Sequence, residues 1–363
     1  MRTTHVWCSG TVYRMSIGSG VLRQSGDELD RLGFSGRAVV VTDETVGGLF
    51  LDELEHSLRD AGFEPGIIII PPGEEQKSLD TAGVLYSRLN ELAVERSTPL
   101  LALGGGVIGD LTGFVAATYF RGLPLVHVPT TLLAQVDSSL GGKVAVNHGM
   151  LKNNIGAFHQ PVGVLADIST LLRLPEREFR NGLAEVIKSA VIRDEGFLEF
   201  LESRMDDVLL RDELVLEKMV AVTAGIKAAV VQEDERDHGL RNILNFGHTV
   251  GHGIETASGF TLCHGEGVAI GMVAAAKMSA AMGLLEPGEL ARLRSLLVRA
   301  GLPITMPEGI DPSVVVAAMA RDKKRAGGRL RFVLPTRMGE VVIRNDVPGE
   351  LVEETVLGSN FVA

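Results

Sequence analysis

The sequence has almost no cysteine. Cys8 and Cys263 are the only two in 363 residues, which excludes a disulfide framework and a four-cysteine zinc site. Positive charge is also short: 35 basic against 46 acidic side chains leave a formal charge of -11. That balance argues against a broad nucleic-acid or anionic-membrane surface but permits a local basic pocket. Long apolar runs are missing as well. The nearest approach, Gly267 to Leu285, carries Lys277 and is built of Ala, Gly, Met and Ser more than Leu or Phe. Such a stretch suits a helix buried against close neighbours better than a membrane span. Met1 to Gly20 shows no basic segment followed by an apolar block, so no secretory signal is visible. No internal repeat or low-complexity segment occurs. The expectation is a cytoplasmic globular protein with no nucleic-acid and no membrane partner.

What is present is ordinary core material, 45% hydrophobic against 22% charged residues, in a length that fits one large domain or two medium ones. Forty-three glycines imply many tight turns or close backbone approaches. The first half alternates β-rich runs with amphipathic stretches. Strands are expected at Arg37 to Thr42, Ile67 to Ile70, Pro99 to Leu103 and Leu125 to Val128, and helices at Leu51 to Gly62 and Leu79 to Leu92. This alternation specifies a mostly parallel, Rossmann-like sheet covered on both faces. After Leu174-Pro175 the pattern becomes almost continuously helical as far as Gly301, and Leu330 to Leu334 and Glu340 to Ile343 read as a closing strand pair turning at Gly339. The expected architecture is an α/β domain over residues 1–174 followed by an α-helical domain over residues 175–363.

Gly104-Gly105-Gly106-Val107-Ile108-Gly109-Asp110 follows a strand and opens a helix. It fits G-x-G-x-x-G, whose backbone N–H groups cradle a pyrophosphate at a helix N-terminus. It follows the third strand, not the first, and no acidic residue lies between Asp110 and Asp137 to take ribose hydroxyls. Asp43, at the end of the first clear strand, offers one instead. A tight strand-to-helix turn is the competing account. Glu74-Glu75-Gln76-Lys77 and Thr130-Thr131 fall at the carboxyl ends of two other strands, where a solvated loop and a plain helix cap are equally available. Three such loops on one rim support a nucleotide site better than any one does.

Four of the nine histidines, His238, His248, His252 and His264, crowd one segment. His248 and His252 stand one helical turn apart on a shared face. His264 sits in a glycine-flanked loop at the head of the next helix. Two imidazoles and a carboxylate would make a catalytic metal site with open positions. Thr249 follows His248, so H-E-x-x-H zinc-peptidase chemistry is excluded. Glu185 and Lys188 sit three apart in an apolar helix, where a simple ion pair is an adequate account. Spacing alone leaves satisfied core histidines and a metal site both open. Arg121, Lys143, Lys152, Lys188, Lys227, Arg241, Lys323 and Lys324 stand beside glycine, asparagine or apolar residues, not in charge runs. In an acidic chain such cations are candidates for an anionic substrate, and solvated surface is the alternative for each.

The order of these pieces resembles the 3-dehydroquinate synthase family. The similarity runs from Gly104 to Gly122, through Pro129 to Ser139 and Gly141-Gly142-Lys143, to Lys152-Asn153 with Ile155 to Pro161. It continues through Ala184 to Lys188, Leu244 to Thr249, Cys263 to Glu266 and Asp322-Lys323-Lys324. Asn147 to Leu151, Asn154 and Ser189 depart from the usual wording without removing an inferred ligand. The resemblance implies an NAD-dependent and divalent-metal-dependent lyase of the shikimate pathway. It would convert 3-deoxy-D-arabino-heptulosonate 7-phosphate, a phosphorylated sugar acid, to 3-dehydroquinate and phosphate by transient oxidation, elimination, re-reduction and aldol closure.

Residue by residue, the resemblance implies metal ligands at Glu185, His248 and His264, with zinc or cobalt as the ion. Catalytic roles fall to His252, Lys143, Asp137, Lys188, Arg241 and Asn245. Substrate contacts fall to Arg121, Asn153, Lys227, Lys323 and Lys324. Nucleotide contacts fall to Asp43, Glu74, Lys77, Gly105, Gly106, Val107, Asp110, Thr130, Thr131, Lys143, Lys152, Thr170, Leu171 and Leu172. A homodimer is expected. The competing activities are a related sugar-phosphate cyclase of secondary metabolism and a metal-dependent polyol dehydrogenase. Retention of Lys227, Arg241 and Asp322-Lys323-Lys324 favours the dehydroquinate product over both.

Overall fold

The computed structural model describes residues 1–8, 10–149, 151–259, 261–325 and 330–358, with residues 321–325 described as helix backbone alone. The chain folds as two compact units. One takes Met1–Pro175 and Glu213–Arg236; the other takes Glu176–Asp212 and the chain from Asp237 onward.

Among its described residues the first unit carries nine strands: β1 (Arg2–Cys8), β2 (Thr11–Gly18), β3 (Arg37–Asp43), β4 (Glu64–Ile70), β5 (Leu100–Gly104), β6 (Leu125–Pro129), β7 (Lys143–His148), β8 (Leu151–Phe158) and β9 (Gly163–Asp167). Seven form one sheet in the order β1-β2-β9-β6-β5-β3-β4, parallel throughout except for the β1–β2 hairpin at its edge. Helices α1 (Ser25–Arg31), α2 (Glu44–Asp60), α3 (Leu79–Glu91) and α4 (Gly106–Thr118) lie along it. Side-chain alternation sorts the strands between two cores. Val39, Val41, Ile68, Leu100, Ala102 and Leu125 pack with α3, α4 and the β7–β8 hairpin. Ala38, Val40, Leu101, Leu103, Val126 and Val128 pack with α1 and α2. Both faces are covered, so the central strands read as mostly apolar runs.

The second unit holds α5 (Glu176–Arg193), α6 (Glu195–Leu209), α8 (His248–Ala257), α9 (His264–Ala281), α10 (Pro287–Arg299), α11 (Pro312–Arg325), the antiparallel pair β10 (Phe332–Arg337) and β11 (Glu340–Arg344), and α12 (Gly349–Leu357). Its axis is α9, buried almost all round by α5, α8, α10, α12 and β10. That explains the Ala, Gly and Met composition. Among the described residues, no helix is long and apolar enough to cross a membrane.

Three features differ from the sequence expectation. Helix α7 (Glu213–Glu233) belongs to the first unit, lying on β1 and on the turn at Ala134–Ser138, so a single cut at residue 174 does not describe the division. Helix α2 begins at Glu44, well before Leu51, because Asp43 caps it through Oδ1, accepting from the Thr45 and Val46 N–H groups at 2.9 Å. Gly47 and Gly48 hid that first turn. The β1–β2 and β7–β8 hairpins were also not expected. Both carry scattered polar residues on their exposed faces, which blur a strand's period.

His127 on β6 is buried and faces the backbone of α4 at Gly109, where an added Cβ would stand 3.4 Å from its Nδ1. Burial, with His159 nearby, holds its imidazole down to about 4. The folded unit therefore prefers neutral His127. Its contribution is complete above the ordinary value of 6.5 and is lost as pH falls towards 4, amounting to roughly 3 kcal/mol. His127→Asn is expected to flatten the fall in stability between pH 6.5 and 4, measured by denaturant unfolding at stepped pH. Equal slopes for variant and parent would contradict this.

Candidate active site

In the first unit the loops singled out in sequence share one rim. Asp43, Glu74–Lys77, Gly105–Asp110, Thr130–Thr131 and Thr170–Leu172 all follow the carboxyl ends of parallel strands. From β3 the chain passes to β4 on one side and then to β5 on the other. The Asp43 and Gly105 loops therefore flank the point where strand order reverses, the usual crevice for a nucleotide in such sheets. The first turn of α4 leaves the N–H groups of Gly106, Val107 and Ile108 without intrahelical partners. The glycines serve close packing as well. A Cβ at Gly104 would stand 2.7 Å from Ile108, and one at Gly105 3.0 Å from Thr131 Cγ2. The donors, the missing Cβ atoms and the switch point fit a dinucleotide pyrophosphate.

A polar network ties this rim to the β7–β8 hairpin. The Lys77 ammonium, nearly buried, donates to Asp110 Oδ2 and Asn153 Oδ1. The Asn153 N–H donates to Asn147 Oδ1 at 2.9 Å, and Asn147 Nδ2 donates to Glu74 Oε1 at 2.9 Å. Lys152 Nζ stands 4.0 Å from the same Glu74 oxygen. Burial pushes the Asp110 carboxyl up, with Lys77 pulling the other way. Asp137 pairs with Lys227 of α7, Nζ to Oδ1 at 2.7 Å. Lys143 opens β7 on an exposed face. Thr131 caps the turn that follows it, accepting from Ala134 N at 3.2 Å. The Thr170 hydroxyl is spent in the core, donating to Asp167 O and accepting from Gln135 Nε2, and the Leu171 side chain is wholly buried. Leu172 is exposed. Arg121 is not brought to this rim: it precedes β6 and so lies at the amino ends of the strands, in left-handed backbone at φ 67°.

In the second unit the metal candidates converge. Glu185 Oε1 lies 3.7 Å from His248 Nε2 and 3.5 Å from His264 Nε2. Donors about 2.1 Å from a tetrahedral ion stand about 3.4 Å apart. Glu185 is buried, and among the described residues neither oxygen has a well-formed hydrogen bond, although the Lys188 ammonium lies against Oε2. A buried carboxylate whose Oε1 faces two imidazole nitrogens fits a divalent cation. His248 Nδ1 lies 3.1 Å from the Phe246 carbonyl oxygen, which turns Nε2 towards Glu185.

The convergence depends on how closely α8 and α9 approach. A Cβ at Gly271 would stand 1.8 Å from Gly247 O, and one at Gly251 2.8 Å from Gly267 O. Gly247 itself holds φ 80°, turning the chain from buried Phe246 into His248. The head of α9 is fixed on α5, where Asn181 Oδ1 accepts from Gly265 N at 2.6 Å and Arg177 grips Glu266 through two hydrogen bonds at 3.0 and 2.8 Å. Burial alone would raise the Glu185 carboxyl, but Lys188, His264 and His248 outweigh it and hold it well below the usual range. Burial, helped by Lys188, pushes His248 well below the ordinary histidine value. Burial also pulls His264 down, yet Glu185 and Glu255 together lift it to about 10.

His252 stands beside the pair, its ring centroid 5.2 Å from that of His248 and 5.9 Å from that of His264. Buried Arg241 and exposed Asn245 lie on the short helical segment Leu240–Asn245 that leads into α8. The side chains of Lys323 and Lys324 lie outside the described residues. Sequence reasoning missed Glu255, whose Oε1 meets His264 Nδ1 at 3.0 Å, and Asn181. Glu255 was findable: it follows His248 by seven residues and His252 by three, on one helical face. Asn181 left no comparable signal.

Comparison with known proteins gives a consistent picture. Residues 67–181 match the family description 3-dehydroquinate synthase N-terminal, and residues 182–325 match 3-dehydroquinate synthase C-terminal. The 3-dehydroquinate synthase of Dehalococcoides mccartyi strain 195 is 47% identical over 347 residues, 96% of each chain. That of Symbiobacterium thermophilum is 49% identical, covering 94% of this chain and 96% of its own. Among solved structures, the 2-epi-5-epi-valiolone synthase ValA of Streptomyces hygroscopicus subsp. jinggangensis 5008, with NAD+ and Zn2+ bound, is 28% identical with a TM-score of 0.88 over 98% of both chains. A 2-deoxy-scyllo-inosose synthase with carbaglucose-6-phosphate, NAD+ and Co2+ is 28% identical with a TM-score of 0.90, covering 98% of this chain and 99% of that one. Glycerol dehydrogenase of Schizosaccharomyces pombe, 16% identical with a TM-score of 0.66 over 94% of this chain and 87% of that one, shares the fold.

Gly271→Ala tests the close helix approach. It is expected to cost about 3 kcal/mol in denaturant unfolding and to weaken zinc retention about tenfold. A variant with the parent's stability and metal content would contradict the packing argument.

Proposed function

This chain belongs to the 3-dehydroquinate synthase family, and from that premise we propose that it is a carbon–oxygen lyase converting 3-deoxy-D-arabino-heptulosonate 7-phosphate to 3-dehydroquinate and inorganic phosphate. The observation that carries the reading is the convergence of Glu185, His248 and His264 in a chain 47% identical to a named synthase along nearly its full length. When bound, NAD would supply reversible hydride acceptance at a ring carbinol, and a zinc or cobalt ion would supply Lewis acidity towards neighbouring hydroxyls. Glu185, His248 and His264 would hold the cation. The rim residues Asp43, Glu74, Lys77, Gly105, Gly106, Val107, Asp110, Thr130, Thr131, Lys152 and Thr170 to Leu172 would hold the nucleotide.

The remaining residues bind and move protons. His252, one turn from His248, would relay a proton from a substrate hydroxyl. Lys188 and Arg241 are nearly buried cations, and desolvation strengthens their hold on a carboxylate or phosphate. Lys227 and Asp137 pair with each other, so each holds the other in place for substrate contact. Lys143, Asn153 and Asn245 are assigned to hydroxyl contacts and Lys323 and Lys324 to substrate anions, whereas Arg121, at the amino ends of the strands, is left outside this set. Cytoplasmic location and a two-fold homodimer, the commonest closed assembly, belong to the same reading.

With the heptulosonate phosphate, NAD and zinc or cobalt, the purified protein is expected to release phosphate and form 3-dehydroquinate, identified by NMR, with no net NADH. Accumulating NADH without phosphate would mark a polyol dehydrogenase, and a different carbocycle would mark a related cyclase. Chelation is expected to abolish turnover and zinc or cobalt to restore it. Glu185→Gln is expected to lower turnover by more than about a hundredfold, as befits a direct ligand.

A further inference from the structure

We propose that Glu255 is a positioning residue for the cation centre: its carboxylate accepts a hydrogen bond from His264 Nδ1–H, fixes the tautomer whose Nε2 lone pair faces Glu185, and so sets the affinity for a divalent cation. The inference rests on the reading that Glu185, His248 and His264 hold such an ion.

Glu255 lies on α8, on the face that carries His248 and His252. It is 8% exposed. Its Oε1 meets His264 Nδ1 at 3.0 Å, while the opposite ring nitrogen, Nε2, lies 3.5 Å from Glu185 Oε1. The ring therefore spans two carboxylates, one on each nitrogen. Space for Glu255 is made by Gly267 of α9, where a Cβ would stand 3.1 Å from Glu255 Cγ and 3.3 Å from Oε1. The two imidazoles are oriented by different means. His248 uses a neutral backbone carbonyl, Phe246 O, whereas His264 uses an anion. A charged acceptor makes the stronger bond and the more electron-rich ligand. His252, Glu255 and His264 are themselves near enough to surround a second cation; one held by His264 Nδ1 would leave that nitrogen without a proton.

Metal analysis, competitive zinc titration and histidine 15N NMR on the full chain test the proposal. The wild-type protein is expected to bind one zinc per chain, with His264 protonated on Nδ1. Glu255→Gln, which keeps the shape and removes the charge, is expected to weaken zinc binding about 10- to 100-fold, and Glu255→Asp to recover part of the loss. Wild-type affinity in a folded Glu255→Gln protein would overturn the proposal. So would a His264 Nδ1 without a proton, or two zinc ions per chain, and the NMR result needs no variant to fold. A wild-type protein that takes up no zinc would instead overturn the parent reading of the cation site.

Discussion

The centre of the second unit depends on how close two helix backbones can come. His248 begins α8 and His264 begins α9, and their Nε2 atoms reach Glu185 because Gly247, Gly251, Gly267 and Gly271 leave no Cβ between the helices. An ordinary helix pair stands 8–10 Å apart across its side chains. Here backbone meets backbone, and the histidines gain the reach that side-chain packing would have taken from them. The same crossing accounts for the composition of α9, which has small and apolar residues on nearly every side.

Electrostatics follow from that geometry. Glu185 and Glu255 are both buried carboxylates, and burying charge is costly unless it is matched. Lys188 matches one side of Glu185, and His264 answers both acids at once. The pocket is therefore built to hold positive charge, and a divalent cation satisfies the facing oxygen and nitrogen atoms better than a single proton can. In the first unit burial is used differently. Lys77, Asp110 and Asn153 form a closed polar knot that pins a hairpin to the loops at the carboxyl rim, so the first turn of α4 is presented in a fixed frame.

Much of this was legible in the sequence because it was periodic or punctuated. The β3 to β6 strands are mostly apolar runs closed by Asp43, Pro71, Gly105 and Pro129, and the histidine pair obeys the helical repeat. Three parts were not legible. The membership of α7 in the first unit rests on burial of Val215, Leu216 and Met219 and on the Lys227–Asp137 pair, which no local pattern records. The early start of α2 was masked by two glycines that tolerate a helix without favouring it. The third metal donor, Glu185, was placed by family resemblance; its spacing from Lys188 reads equally well as a surface ion pair, and only its burial against two imidazoles separates the two accounts.

The claim on which the rest stands is that one carboxylate and two imidazoles share a cation. X-ray absorption spectroscopy of the zinc-loaded protein reads that shell directly. The account predicts light-atom scattering near 2.0–2.1 Å, with the outer-shell pattern of two histidine rings and no sulfur. A sulfur shell near 2.3 Å, or the signal of fewer than two imidazoles, would contradict it.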